Sequence, residues 1–152
     1  MCKIVLKEFE KFSNSDLVKL FDHVYKKDPR TAGKLELANF RAKTNLWCRD
    51  MNAEFFGIYR KIDLVGTISL SKQNKKEKQA NVGYEIFNEF RGKGFASKAF
   101  QLMIKIAFSK GFLILKSKIL KENRISINIW KNSGATFKES DHDKLDVTLP
   151  LR

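Results

Sequence analysis

Seven consecutive residues, Arg91-Gly92-Lys93-Gly94-Phe95-Ala96-Ser97, carry the spacing best suited to chemistry in this sequence. They stand between a β-rich run and the strongest helical repeat of the chain. The first turn of a helix presents backbone N–H groups without intrahelical partners, and the helix dipole adds positive potential there. An anion, typically phosphate, is attracted to such a place. Glycines let the backbone approach a ligand closely and adopt positive φ. The same two glycines would equally serve a plain strand-to-helix turn. Two well-known phosphate loops do not fit. A P-loop needs G-x-x-x-x-G-K-[ST], and that spacing is absent. The dinucleotide fingerprint needs Gly or Ala where, counting from Gly92, Ser97 stands. Neither an NTPase nor a Rossmann dehydrogenase is supported. His23, His142, Cys2 and Cys48 lack metal-ligand spacing. They read as structural or incidental, and no metal is expected.

The elements that must position this loop follow from periodicity. Ile4 to Phe9 reads as a strand. Ser13 to Asp16 offers N-cap residues before Leu17, Leu20, Phe21 and Val24, which recur at helical spacing. Lys26-Lys27-Asp28-Pro29 ends that helix. Thr31 to about Leu46 predicts a second helix of weaker pattern, irregular in part. Phe55 to Tyr59 and Leu64 to Leu70 predict a β-hairpin turning at Arg60 to Asp63. Lys72 to Lys78 reads as a solvated loop. Asn81 to Phe87 is the next strand, with Val82, Tyr84 and Ile86 on one face and Asn81, Gly83 and Glu85 on the other. These four strands predict an antiparallel meander. Ala96, Ala99, Phe100, Met103, Ile104 and Ala107 then mark a clear amphipathic helix, with Gly111 at the C′ position. Phe112 to Leu115 reads as a strand buried on both faces in a parallel pair. Val82 to Ile119 thus forms a βαβ unit. A helix from about Asn123 to Asn132 is stopped by Ser133-Gly134. Thr136 to Leu151 predicts two strands around Asp141-His142-Asp143.

Composition sets the outer limits. The chain has 152 residues, 30 Lys and Arg against 17 Asp and Glu, and a net charge of +13. That length predicts one domain over residues 1–152 with a substantial core. Hydrophobic residues make up 43% of the chain, too many for a disordered polycation. Gly 8 and Pro 2 exclude collagen-like and Pro-rich low-complexity chains. Two cysteines cannot build a disulfide framework and suit a reducing compartment. The start of the chain has no signal-peptide pattern, and no apolar run spans a bilayer. A cytoplasmic protein without membrane association is expected. The charge admits nucleic acid or another anionic partner, but a Lys- and Asn-rich composition also follows from an AT-rich genome.

Arg91-Gly92-Lys93-Gly94-Phe95-Ala96 fits [QR]-x-x-G-x-[GA], and the chain resembles the GNAT superfamily of acyl-CoA-dependent N-acyltransferases. Val82-Gly83-Tyr84-Glu85-Ile86 precedes the loop as the family's fourth strand would. Asn123-Arg124-Ile125-Ser126, followed by Gly134, resembles the corresponding element of the ribosomal-protein alanine (Rim-type) acetyltransferases. The resemblance covers nearly the whole chain and is weakest over residues 13 to 50. It implies an α/β (α+β) fold: a mixed, mostly antiparallel sheet with splayed fourth and fifth strands flanked by helices. It also implies acetyl-CoA as acyl donor. Coenzyme A would lie in the splay, its pyrophosphate on the backbone of Gly92, Lys93, Gly94, Phe95, Ala96 and Ser97, with Arg91 and Lys93 either adding charge or simply solvated. Its pantetheine would run along Ile86 and Phe87, with Asn123 and Ser126 helping to bind it.

Acetyl transfer to an amine requires a deprotonated nucleophile, close approach to the thioester, an oxyanion donor and a stabilised leaving thiolate. Glu85 is the candidate base, on the strand face opposite Val82, Tyr84 and Ile86; a solvated role or a water relay is the alternative. Ser126 is the candidate aid to the thiolate, as in the Rim-type pattern; a helix serine bonded back to the backbone is the alternative. It shares a helix face with Asn123 and Trp130. Many family members carry a Tyr acid where Trp130 stands, and an indole N–H is not such an acid. The expected function is acetyl-CoA-dependent transfer to a primary amine, a protein N-terminus or a small molecule, through a ternary complex. A monomer or homodimer is expected, and nucleic acid is not an expected partner. The alternatives are a basic RNA- or ribosome-binding module, with Lys72 to Lys78 as its footprint, and a degenerate member that binds CoA without turnover.

Overall fold

The computed structural model describes residues 3–25 and 34–152, without the side chains of Lys34 and Leu35. The chain folds as β1 (Ile4–Glu8), α1 (Asn14–Tyr25), α2 (Lys34–Asp50), β2 (Glu54–Arg60), β3 (Asp63–Asn74), β4 (Gln79–Ile86), α3 (Phe95–Ser109), β5 (Ile114–Leu120), α4 (Arg124–Asn132), β6 (Thr136–Asp141) and β7 (Lys144–Pro150). The seven strands make one sheet in the order β1-β2-β3-β4-β5-β7-β6. Strands β1 to β4 are the expected antiparallel meander. Only β4 and β5 run parallel. The expected boundary at Lys26 to Pro29, the start of the second helix at Thr31, and Cys2 lie outside the described residues.

Each face of the sheet has its own core. On one face, α3 buries Phe95, Ala99, Phe100, Met103 and Ala107 against Ile68, Leu70, Val82 and Leu115, with Trp130 of α4 closing the cluster. On the other, Phe9, Phe12, Leu17, Leu20, Phe21 and Phe40 collect around Tyr59, Leu64 and Phe87 beneath α1 and α2. Much of the unusual phenylalanine content is therefore spent holding two helices over one half of the sheet.

Both glycine stops close their helices in the same way. Gly111 has φ +94° and Gly134 has φ +100°. At α3, Phe112 N–H donates to Ala107 and Gly111 N–H to Phe108; at α4, Ala135 N–H donates to Trp130 and Gly134 N–H to Lys131. This is the Schellman pattern, which satisfies the last carbonyls of each helix.

Three expectations need correction. The second helix is continuous over Lys34–Asp50. Lys72 to Lys78 is not all loop: β3 runs to Asn74, since Lys72 N–H donates to Met51 and Gln73 N–H to Asn52. The fifth strand is Ile114–Leu120, not Phe112 to Leu115, and only one of its faces is buried. Leu115 and Ile119 point into the core, while Lys116, Lys118 and Leu120 are exposed. Phe112 is buried because the α3 cap turns it inward, not because it is in a strand.

Candidate active site

The register of β4 creates the site. Its parallel pairing with β5 covers only Gln79–Ile114, Ala80–Leu115 and Asn81–Lys116. Beyond Asn81 the two strands part. Phe87 N–H donates to Val65 of β3 at 2.9 Å. Backbone groups alternate between neighbours along a strand. Glu85 and Gly83 therefore face β3, and Val82, Tyr84 and Ile86 direct their N–H and C=O groups into the gap. Phe87 contributes no N–H to the gap, because Val65 takes it.

The gap leads to the start of α3. Gly92 has φ +78° and Gly94 has φ +81°, and a Cβ at either would meet nothing within 4 Å. Gly94 is the N-cap and provides no side chain to bond the first N–H groups of the helix. Phe95, 2% exposed, pins that first turn to the core, while Gly92, Lys93, Gly94 and Ser97 are exposed and Ala96 is half-buried. The result is an open cradle of N–H donors at a helix dipole, suited to a pyrophosphate. It continues into a free strand edge suited to an amide-rich chain. These two features fit the parts of acetyl-CoA. Arg91 turns away from the cradle, its Nε donating to the Ile86 carbonyl at 3.0 Å.

On the opposite sheet face lies an open cleft of about 920 Å³ lined by Lys19, Asp22, His23, Glu85, Glu89 and Arg91. Glu85 Oε1 is 2.9 Å from His23 Nε2, the carboxylate side chain being 55% exposed and the imidazole 19%. Phe87 fixes the imidazole, with ring centroids 4.5 Å apart. Helix α1 thus delivers to Glu85 a histidine that sequence spacing left without a role. The signal missing from the sequence is the docking of α1 on this sheet face.

The other bank of the gap is α4. Asn123 is its N-cap, with Oδ1 accepting from Ser126 N–H at 3.2 Å. Ser126 Oγ accepts a hydrogen bond from Tyr84 Oη at 3.0 Å, which bridges β4 and α4. Burial pushes the Tyr84 phenol above its ordinary pKa, with the Ser126 bond and Trp130 pulling partly back. Trp130, 1% exposed, packs on Phe100 with ring centroids 4.6 Å apart. Its indole is therefore core. The phenol beside Ser126 comes from β4 instead. Sequence reasoning assigned Tyr84 to the packed face and so passed over its hydroxyl. Among the described residues, no group of three His, Cys, Asp or Glu side chains could hold a metal ion, and no helix is long and apolar enough to cross a membrane.

Comparison with known proteins agrees with this fold. Solved structures with the same fold include the Campylobacter jejuni N-acetyltransferase PseH, 21% identical, with 98% of this chain and 99% of that one covered and a TM-score of 0.76. The Vibrio cholerae spermidine N-acetyltransferase in complex with CoA and spermine is 15% identical over 97% of this chain and 95% of that one, TM-score 0.74. RimL, a ribosomal L7/L12 α-N-protein acetyltransferase in complex with CoA, is 17% identical over 97% and 94%, TM-score 0.70. No curated protein matches the sequence. The acetyltransferase (GNAT) domain family matches residues 8–136. With the splayed β4–β5 pair and the glycine cradle in place, the chain belongs to the GNAT acetyltransferase family.

Proposed function

We propose that the protein is an acetyl-CoA-dependent N-acetyltransferase that passes the acetyl group directly to a primary amine in a ternary complex. The observation that carries this reading is the β4–β5 pairing that stops after three residues and opens onto the uncapped start of α3. The bound thioester supplies an activated acyl group. Backbone N–H groups from Gly92 to Ser97 hold the pyrophosphate, and the Val82, Tyr84 and Ile86 edge pairs the pantetheine. The Arg91 guanidinium yields or shares the Ile86 carbonyl as that pairing forms.

Glu85 acts as the base from the cleft side. An ammonium with pKa near 10 has no lone pair at neutral pH, so its proton must be taken before attack. His23 orients the Glu85 carboxylate and spreads the acquired charge. Backbone N–H groups on the free edge of β4 face the developing oxyanion. Ser126 donates to the departing sulfur. A hydroxyl has one proton, and because Ser126 Oγ accepts from Tyr84, its own proton is free to point into the gap. Asn123 keeps Ser126 in register by capping its helix.

The Asn123–Ser126–Gly134 element favours a Rim-type relationship, and the acceptor is a protein N-terminus or a small-molecule amine. The remaining parts of the reading are a cytoplasmic monomer or homodimer. The test is thermal melting with acetyl-CoA, followed by an amine panel assayed for released CoA thiol. Ligand at about 100 Kd stabilises by about 2.7 kcal/mol, which for a chain of this size raises Tm by roughly 5–10 °C. No shift at millimolar acetyl-CoA sinks the proposal.

A further inference from the structure

Among the described residues, no helix covers one half of the sheet face that carries Glu85. The α1–α2 layer covers the β1–β4 half. Strands β5, β7 and β6 are open on this side. Alternation puts Lys116 and Lys118 of β5 on that open face, opposite buried Leu115 and Ile119. The register then places Lys116 beside Thr148 and Lys118 beside Asp146, and Thr136 beside Thr148 and Lys138 beside Asp146. The outcome is a cleft of about 430 Å³ whose lining includes Asn81, Lys116, Lys118, Lys138, Asp146 and Thr148. Three ammonium groups share it with one carboxylate. The ion pairs among the described residues involve His23, Arg60, Lys110 and Lys121, and none uses these three lysines. Like charges gathered over two strand spacings repel, and a bound anion relieves that repulsion.

The cleft is joined to the candidate active site by register. Asn81, which pairs with Lys116, lies on the same strand face as Gly83 and Glu85. Continuing that register, Lys118 stands level with Gly83 across the gap. Two residues along a strand and one strand spacing separate it from Glu85, roughly 8 Å or more. The start of α3, where a cofactor pyrophosphate fits, belongs to the helix layer on the other face.

We propose that Lys116, Lys118 and Lys138 hold the phosphate or diphosphate of the acceptor whose amine reaches Glu85, so that the acceptor is a phosphate-bearing amine. This rests on the acetyltransferase reading. A compact body such as a phosphorylated amino sugar spans the required distance. Thr148 and Asn81 supply neutral hydrogen-bonding groups beside the lysines. Asp146 sets the cleft against a second, unneeded anion.

Two measurements test it. Inorganic pyrophosphate is titrated calorimetrically into CoA-saturated protein, as wild type, K116A/K118A, and K76A from the exposed β3–β4 turn. In parallel, kcat/KM is compared for glucosamine 6-phosphate and glucosamine. The expected result is pyrophosphate binding that weakens at least about tenfold in K116A/K118A but not in K76A. The phosphorylated amine should be preferred by at least about tenfold, with the preference lost in K116A/K118A at an unchanged KM for acetyl-CoA. Pyrophosphate binding insensitive to K116A/K118A, or a phosphate preference absent or unaltered by it, overturns the proposal. A failed acetyltransferase reading shows itself differently, as no stabilisation by acetyl-CoA and no amine acetylated.

Discussion

Gly66→Ala offers a direct test of the strand geometry, because its target is backbone. Gly66 of β3 pairs with Ile86 of β4. A Cβ at Gly66 would fall inside contact distance of the Glu85 carbonyl oxygen and 3.0 Å from both the Ile86 Cα and Cδ1. Relaxed carbon contacts lie at 3.5–4.0 Å. The two strands must therefore separate locally by roughly 0.5–1 Å. The displaced segment carries Glu85 and the Ile86 edge, the two parts assigned to the amine and to the donor. Overpacking of this kind costs about 1–3 kcal/mol, a fall in Tm of roughly 2–10 °C at this chain length. A misplacement near 1 Å lowers turnover by as much as about 100-fold. Gly83→Ala is the internal control. It lies on β4, the strand that Gly66→Ala would push away, but its Cβ would meet only Ser69 Oγ, at an ordinary 3.6 Å. Differential scanning fluorimetry and steady-state kinetics on both variants decide the matter. Gly66→Ala with wild-type Tm and kcat would refute the argument, as would Gly83→Ala equal to it in loss.

Glu85→Gln is expected to lower kcat at least tenfold with KM for acetyl-CoA unchanged; full turnover would remove Glu85 from the mechanism. Tyr84→Phe and Ser126→Ala should each reduce kcat, and the double variant should cost little more than either alone, because the two hydroxyls act in series. Additive losses in a double-mutant cycle would separate them. Gly94→Pro should abolish stabilisation by CoA, whereas Lys76→Ala should retain it, as read by thermal shift. Tyr59, 1% exposed and donating to Asp16 at 2.8 Å, has its phenol pKa raised by burial and then by Asp16. Above pH 10 the unfolded phenol loses its proton while the folded one keeps it, so stability is full below pH 10 and falls as pH rises, by up to about 1.4 kcal/mol per pH unit. Urea unfolding between pH 8 and 11 should show a shallower alkaline loss in Tyr59→Phe; an identical slope would contradict the assignment.

Features governed by local backbone rules were legible in the sequence. The apolar repeat from Ala96 to Ala107 gave α3, and Gly111 and Gly134 gave the two helix stops, because positive φ there is a property of single residues. The alternation over Asn81 to Phe87 sorted Tyr84 from Glu85 correctly between the faces. What remained hidden depends on tertiary placement. The apolar run Phe112 to Leu115 mimics a doubly buried strand, but the cap of α3 consumes Phe112, and the true strand alternates with lysines. The last residues of β3 are polar, so their backbone bonds to Met51 and Asn52 leave no hydrophobic trace. The approach of His23 to Glu85 and the bridge from Tyr84 to Ser126 each join segments distant in sequence, and no spacing rule reports them.

The three-residue seam between β4 and β5 also bears on how the molecule holds together. Seven strands are continuous in name, but hydrogen bonding divides them into a four-stranded and a three-stranded unit stitched at one end. The seam and the packing of α3 and α4 carry the burden of keeping the halves in register. A pantetheine laid along the open edge would act as a temporary extra strand, lengthening the stitch. Loading the donor would then tighten folding cooperativity across the whole sheet, and amide exchange in β6 and β7, far from any bound atom, should slow with that of β4.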